Sequence, residues 1–243
     1  MRDDPAPATL AVVLCRVEGS INVGAACRAM KAMGISSLVL ADCPGYDEIT
    51  VRTHALQAWD VFESAERRST LWEALDGFSL AAGFTRRVGQ RRKENVALER
   101  FAAMLASRDG APVALVFGNE RDGLSDAELA LCDEAVGIDT SVLFPSLNLS
   151  HAVQIACWEA RKALRAGKPG TVSRMAAPRS STRRAAKEIA DALQAAGFYK
   201  LAGRPEAESF IRSVAARAAL SESELERFSS LFLKLGALPA SAP

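Results

Sequence analysis

The sequence predicts an α/β fold: a mostly parallel sheet with helices on both faces, followed by a small C-terminal helical extension. Two observations carry that expectation. Short runs made almost entirely of Val, Leu and Ala recur along the chain, as in strands buried on both faces. Between them lie segments with apolar residues at three- and four-residue spacing, the signature of amphipathic helices that alternate with parallel strands. At 243 residues, 49% of them hydrophobic, the chain has ample material for one large core and an appendage.

Strands are expected at 9–17, 37–41, 78–84, 112–117 and 135–138, and helices at 22–33, 95–107, 125–132 and 147–164. The helix after Ser125 carries a capping box, with Glu128 three residues on, and Leu124 and Leu129 stand at the flanking staple positions. Its neighbouring strand ends at Phe117, so residues 118–124 form a loop on the carboxyl edge of the sheet, where open α/β folds bind ligands. The domain expectation is 1–166 for the α/β domain, 167–182 for a Gly/Pro/Ser-containing linker and 183–243 for the extension. In the extension, Ile189, Leu193 and Phe198 mark one helix, and Phe210, Ile211 and Val214 a second starting near Pro205. Leu225, Phe228, Phe232 and Leu235 mark a third, opened by a capping box of Ser221 and Glu224. So small a helical core is expected to dock on the main domain or on a partner subunit.

Composition excludes several classes. The longest apolar run, 9–15, is far too short to cross a membrane and lacks the flank and cleavage pattern of a signal peptide, so a cytoplasmic protein is expected. Five cysteines without CxxC spacing argue against a disulfide framework or a zinc site and are read as mostly buried thiols. His54 and His151, the two histidines, have no nucleophile elbow near them, and no HExxH occurs, so the chemistry is expected to be metal-independent. Trp59, Trp72 and Trp158 are read as core. The net charge is +1, yet Arg86, Arg87, Arg91, Arg92 and Lys93 form a dense cationic stretch, and Arg174, Arg179, Arg183, Arg184 and Lys187 a second. Each reads either as a solvated face or as an RNA contact.

Three polar motifs stand at helix starts. In Asn22-Val-Gly24-Ala-Ala-Cys-Arg28, small residues allow close approach of backbone or ligand to a positive helix end, and Arg28 falls on the face away from the sheet. A capped helix with a surface arginine is the plainer alternative. In Gly118-Asn119-Glu120-Arg121-Asp122-Gly123-Leu124, glycines frame one carboxylate. This is neither a GxGxxG fingerprint nor a P-loop, which disfavours a dinucleotide-dependent oxidoreductase. In Ser146-Leu147-Asn148-Leu149-Ser150, one of Ser146 and Asn148 is accounted for as an N-cap, and the other is left for a ligand.

Taken in order, Asn22-x-Gly24-x-x-x-Arg28-Ala-Met-Lys31, Gly118-x-Glu120-Arg121-x-Gly123-Leu124 and Ser146-Leu147-Asn148-Leu149 resemble the three motifs of the SPOUT superfamily. Within it, the match is to the SpoU (TrmH-like) RNA ribose 2′-O-methyltransferases. The resemblance covers about residues 9–165, and the helical tail is similar to that of the TrmJ-type tRNA cytidine/uridine-2′-O-methyltransferases. It implies a C-terminal trefoil knot, a homodimer, and S-adenosylmethionine as the cofactor. By position, it implies cofactor contacts from Phe84, Thr85, Arg86, Gly118, Ile138, Pro145, Ser146 and Leu147, and a catalytic set of Asn22, Arg28, Glu120, Ser146 and Asn148. Arg28 is implied to work across the subunit interface, where a permanently protonated guanidinium suits phosphate positioning and alkoxide stabilisation better than proton abstraction. Arg28 is one expected RNA contact; the charge of Arg86, Arg87, Arg91, Arg92 and Lys93 leads to the expectation that this stretch, with the helical tail, grips RNA backbone. The implied substrate is the anticodon loop of tRNA, at nucleotide 32, with ribosomal RNA methylation or a catalytically silent RNA-binding dimer as the alternatives. At Gly83-Phe84-Thr85-Arg86 the chain departs from TrmJ-type proteins, which have small residues there.

Overall fold

A computed structural model describes residues 10–86, 95–106, 108, 110–166, 176–199 and 203–236. The chain divides into two compact units, Met1–Ser173 and Arg174–Pro243. Among the described residues, the first unit is built on a seven-stranded, all-parallel sheet in the order β3-β2-β1-β6-β4-β7-β5. Its strands are β1 (Leu10–Cys15), β2 (Ser37–Ala41), β3 (Glu66–Arg68), β4 (Leu80–Phe84), β5 (Val96–Ala97), β6 (Val113–Phe117) and β7 (Glu134–Gly137). The helices are α1 (Ser20–Ala32), α2 (Glu48–Ala55), α3 (Trp59–Glu63), α4 (Leu71–Ala74), α5 (Leu98–Leu105), α6 (Asp126–Leu131) and α7 (Leu149–Ala166).

The central strands β1, β4 and β6 are buried along their whole length. Both faces are therefore apolar, and each buried Val or Leu contributes about 1.5–3 kcal/mol. On one face Val13, Cys15, Val39, Ala114 and Val116 pack with Leu71 and Leu75 around α4 and with Leu124 and Leu129 around α6. The alternate residues face the other side, where α7 packs beside both α1 and α5. The capping box at Ser125 and Glu128 forms as expected, and Leu124 and Leu129 are both buried around it.

Several expectations change. The helix read at 95–107 begins only at Leu98, because Val96 and Ala97 pair with Val136 and Gly137 as an edge strand. β3 was not expected: Glu66, Arg67 and Arg68 are all exposed, so neither alternation nor an apolar run marks this edge strand. α1 starts at Ser20 with Gly19 at its N-cap, which places Asn22 inside the first turn rather than at the cap. Trp72 and Trp158 are half exposed instead of buried. All five cysteines are free thiols, and only Cys43 is not fully buried. Among the described residues, no helix is long and apolar enough to cross a membrane.

The second unit contains α8 (Arg179–Ala195), α9 (Arg204–Arg217) and α10 (Glu222–Gly236). α8 begins inside the stretch read as linker: Pro178 occupies its N-cap, and the serines at 180 and 181 belong to its first turn. The third helix has the expected cap, with Ser221 N–H donating to Glu224 at 3.0 Å and Leu225 buried beside Leu220. Alanines supply much of the buried surface: Ala185, Ala186 and Ala190 on α8, Ala215 and Ala216 on α9. Phe198 and Phe210, expected to mark apolar faces, are exposed. Arg179, counted with a solvated cationic face, is only 2% exposed.

Candidate active site

β1 and β6 leave the sheet side by side, Leu14 paired with Phe117. The loop after β6 is shaped by its own amides: Gly123 N–H donates to the Asn119 carbonyl at 2.7 Å, and Arg121 N–H to Asn119 Oδ1 at 2.9 Å. Gly118 has no room for a side chain, since a Cβ there would overlap the backbone of Gly123 and Leu124. Gly123 itself takes φ +66°, a conformation glycine adopts without strain. The turn closes because these two positions are glycine.

The buried Asn119 also ties the loop to β1, its Nδ2 donating to the Arg16 carbonyl at 2.8 Å. Arg16 in turn forms a two-pronged pair with Glu128: Nε bonds Oε1 and Nη2 bonds Oε2 at 2.8 Å. Burial works against the Glu128 charge, but the Arg16 guanidinium and Ser125 outweigh it and hold the carboxyl at about 2.

Glu120 points from this loop to the start of α1. Its carboxylate accepts from Gly19 N–H and from Asn22 Nδ2, both at 3.0 Å, and from Glu18 N–H at 3.3 Å. Burial opposes its charge, yet these donors leave the carboxyl below the usual carboxylate range. A carboxylate at a helix N-terminus also complements the helix dipole. Gly19 permits the approach, because a Cβ there would stand 2.8 Å from Glu120 Oε1. From Asn22 the chain of bonds continues, with Asn148 Nδ2 donating to Asn22 Oδ1 at 2.9 Å. Asn148 Oδ1 accepts from Ser150 N–H at 2.9 Å and caps α7. The capping question at the third motif is thereby answered: Asn148 is the cap, and the hydrogen bonds among the described residues do not include the Ser146 hydroxyl.

A cavity opens at the carboxyl ends of β6, β4 and β7. Every residue expected to contact a cofactor lines it: Phe84, Thr85, Arg86, Gly118, Ile138, Pro145, Ser146 and Leu147. So do Glu120 and Asp122. The bulk of Phe84 is absorbed beneath the cavity, where its ring stacks on Phe117 at 4.5 Å between centroids and meets Phe101 edge-on. Thr85 continues the β4 edge, its N–H donating to the Val136 carbonyl at 3.0 Å.

The structure thus joins Glu120, Asn22 and Asn148 in one hydrogen-bonded chain and sets Ser146 in the adjoining cavity. Arg28 is not brought to them. It is exposed on α1, and the hydrogen bonds and ion pairs of the described residues do not include it. Gly24, expected to let backbone or ligand come close, admits backbone: a Cβ there would overlap the Val51 carbonyl of α2 and crowd His54. Arg87, Arg91, Arg92, Lys93 and Arg174 lie outside the described residues. Arg16 did not stand out in the sequence, although a charged residue directly after a fully apolar strand, at the ligand-binding edge, is a usable signal.

The model of the SpoU rRNA methylase family matches residues 9–158. The chain is 37% identical over 168 residues to the tRNA (cytidine/uridine/adenosine-2′-O-)-methyltransferase TrmJ of Pseudomonas aeruginosa. That match covers 65% of this chain and 63% of the relative, so it spans less than two thirds of the relative's length. A probable methyltransferase from Bordetella pertussis Tohama I superposes with a TM-score of 0.61 at 33% identity, over 65% of this chain and 98% of that one. TrmJ from Z. mobilis ZM4 shares the fold over 94% of this chain and 99% of its own, with a TM-score of 0.74 at 23% identity.

Proposed function

This chain belongs to the SpoU rRNA methylase family, and we propose that it transfers a methyl group from S-adenosylmethionine to a ribose 2′-hydroxyl of tRNA, in the anticodon loop. The observation that carries this reading is the cavity at the carboxyl edge of β6, β4 and β7, set against the Glu120–Asn22–Asn148 chain. The name of the Pseudomonas relative supports tRNA, and the family's description favours ribosomal RNA as the second reading.

The residues present fit S-adenosylmethionine. Gly118 leaves bare backbone at the cavity wall, where an adenosine edge could be hydrogen-bonded, and Phe84, Ile138 and Leu147 supply apolar walls. When bound, the cofactor supplies a methyl already activated on a sulfonium, so the protein's task is in-line placement in a dry pocket. Glu120 spends its charge orienting the α1 entrance and Asn22, and Asn22 fixes Asn148. The Ser146 hydroxyl remains available to substrate or cofactor.

Arg28 belongs in this reading to the pocket of a second copy. There its fixed charge holds the RNA phosphate and favours the 2′-alkoxide as it develops, with the proton passing to a neighbouring phosphate. A homodimer is supported by large apolar side chains left exposed on α1 (Ile21), in the 138–148 loop (Val142, Leu143, Phe144) and on α7 (Trp158). The trefoil knot, catalysis by the first unit with the helical unit from α8 onward as an extension, a cytoplasmic setting and metal-independent chemistry complete the proposal. RNA backbone is gripped by Arg86 at the cavity rim together with Arg87, Arg91, Arg92 and Lys93.

The test is transfer of labelled methyl from S-adenosylmethionine to unmodified tRNA and, separately, to ribosomal RNA, with nuclease mapping of the labelled ribose. Label in the anticodon loop is expected. Label only in ribosomal RNA replaces the substrate, and tight cofactor binding without label in either RNA leaves a silent binding dimer. Arg28→Ala is expected to lower methylation by about a thousandfold, the size of a lost oxyanion donor, while S-adenosylhomocysteine binding is unchanged.

A further inference from the structure

Arg16 is the first residue after β1, and its backbone takes φ 54°, the left-handed region that residues with a side chain seldom enter. The turn sends its side chain and its carbonyl to the same neighbouring loop. The carbonyl accepts from Asn119 Nδ2 at 2.8 Å, at the loop's entrance. The guanidinium Nη2 donates to the Gly123 carbonyl at 3.3 Å, at its exit. The guanidinium is itself held in the two-pronged bond to Glu128, whose carboxylate also accepts from Ser125 N–H at 2.7 Å and so is anchored to the cap of α6. Between the two points of attachment lie Glu120, Arg121 and Asp122, all of which line the cavity.

We propose that Arg16 is a positioning residue for the methyl-donor pocket, holding both ends of the 118–124 loop so that its backbone and Glu120 stand in place before any ligand arrives. The proposal rests on the reading of the cavity as the S-adenosylmethionine site. Arg16 touches neither cofactor nor RNA in it; it acts through Gly123, Asn119 and Glu128. The planar fork of arginine serves this role because it bonds both carboxylate oxygens while still reaching the Gly123 carbonyl. Lysine has the charge without the fork.

The experiment compares the unaltered protein with Arg16→Met, Arg16→Lys and Glu128→Gln. It measures S-adenosylhomocysteine affinity by calorimetry and amide exchange of residues 118–124 in the ligand-free protein. Arg16→Met is expected to weaken binding roughly tenfold, the size of one lost charge-assisted hydrogen bond, and to speed exchange in the loop. Arg16→Lys recovers part of both. Glu128→Gln, which keeps the side-chain volume and an acceptor for Ser125, shifts them in the same direction as Arg16→Met. In steady state, KM for S-adenosylmethionine rises more than kcat falls, whereas a residue that only stabilises the fold lowers the melting temperature and leaves KM alone. Equal affinity and equal exchange in the unaltered and Arg16→Met proteins overturn the proposal by itself. No S-adenosylhomocysteine binding by the unaltered protein overturns the pocket reading and the proposal together.

Discussion

Two loops line the same cavity and are held in opposite ways. Residues 118–124 are bonded internally through Asn119, to β1 through the Arg16 carbonyl, and to α1 through Glu120. Residues 138–148 make their described side-chain bonds within the loop, Thr140 Oγ1 to the Pro145 carbonyl at 3.3 Å and Leu143 N–H to Ser141 Oγ at 3.3 Å, until Asn148 reaches Asn22. Val142 and Leu143 are 94% exposed. The first wall is pre-organised by the protein. The second is held by few bonds of its own among the described residues, and in the proposed function a ligand or a second copy covers it.

The sharpest way to break that contrast is Gly118→Ala. A methyl group there overlaps the peptide group that joins Gly123 to Leu124, where nothing flexible can yield. Overpacking of this kind is expected to weaken S-adenosylhomocysteine binding by up to about a hundredfold. Ser146→Ala, on the other wall, is expected to cost less than about tenfold, the loss of one neutral hydrogen bond. Calorimetric titration of the two variants decides it, and comparable losses from both would erase the distinction between the walls.

A smaller effect sharpens the contrast without mutation. Amide exchange with and without S-adenosylhomocysteine is expected to show protection rising strongly across 138–148 and little across 118–124, because ordering is gained only where it was lacking. Phe144→Ser is expected to lower self-association in sedimentation while leaving the 118–124 pattern unchanged. Equal gains in protection in both loops would mean that the first wall is no better organised than the second.

How much of this was legible in the sequence follows from the range of each interaction. β1, β4 and β6 could be read because burial on both faces leaves an uninterrupted aliphatic run. The capping boxes at Ser125 and Ser221 could be read because their partners lie three residues away. β3 could not, being an exposed edge strand of Glu and Arg, and β5 could not, because two residues become a strand only through their partner β7. The cavity-lining residues were reached through the motif resemblance, since Phe84, Gly118 and Ile138 are far apart in the chain and meet only at the sheet edge. At Gly24 the sequence showed that something comes close, but not which, because the helix it admits, α2, follows a separate turn capped by Asp47. The Arg16–Glu128 pair spans 112 positions, a distance over which local patterning carries no information.

The finest test of the pre-organised wall is its acid response. The folded-state carboxyl of Glu128 lies near 2, below the usual glutamate range, and Glu120 is lowered as well. A depressed folded value means that the stabilisation is complete above the ordinary glutamate range and is lost only as pH falls toward the folded value. Loop protection is therefore expected to be insensitive to Glu128 titration from neutral pH down to the ordinary glutamate range and to decline below it, whereas cofactor affinity of the folded protein is expected to hold until pH approaches the folded value. The effect is modest, because solvent reaches part of the Arg16 side chain. Removing the guanidinium in Arg16→Met deprives Glu128 of its main donor, so the acid decline should begin at higher pH in that variant. Affinity titrations of both proteins between pH 3 and 7, interpreted against the glutamate range, measure the displacement. Superimposable acid limbs would show that the loop's organisation owes nothing to the Arg16–Glu128 pair, and that the wall is rigid through Asn119 and Glu120 alone.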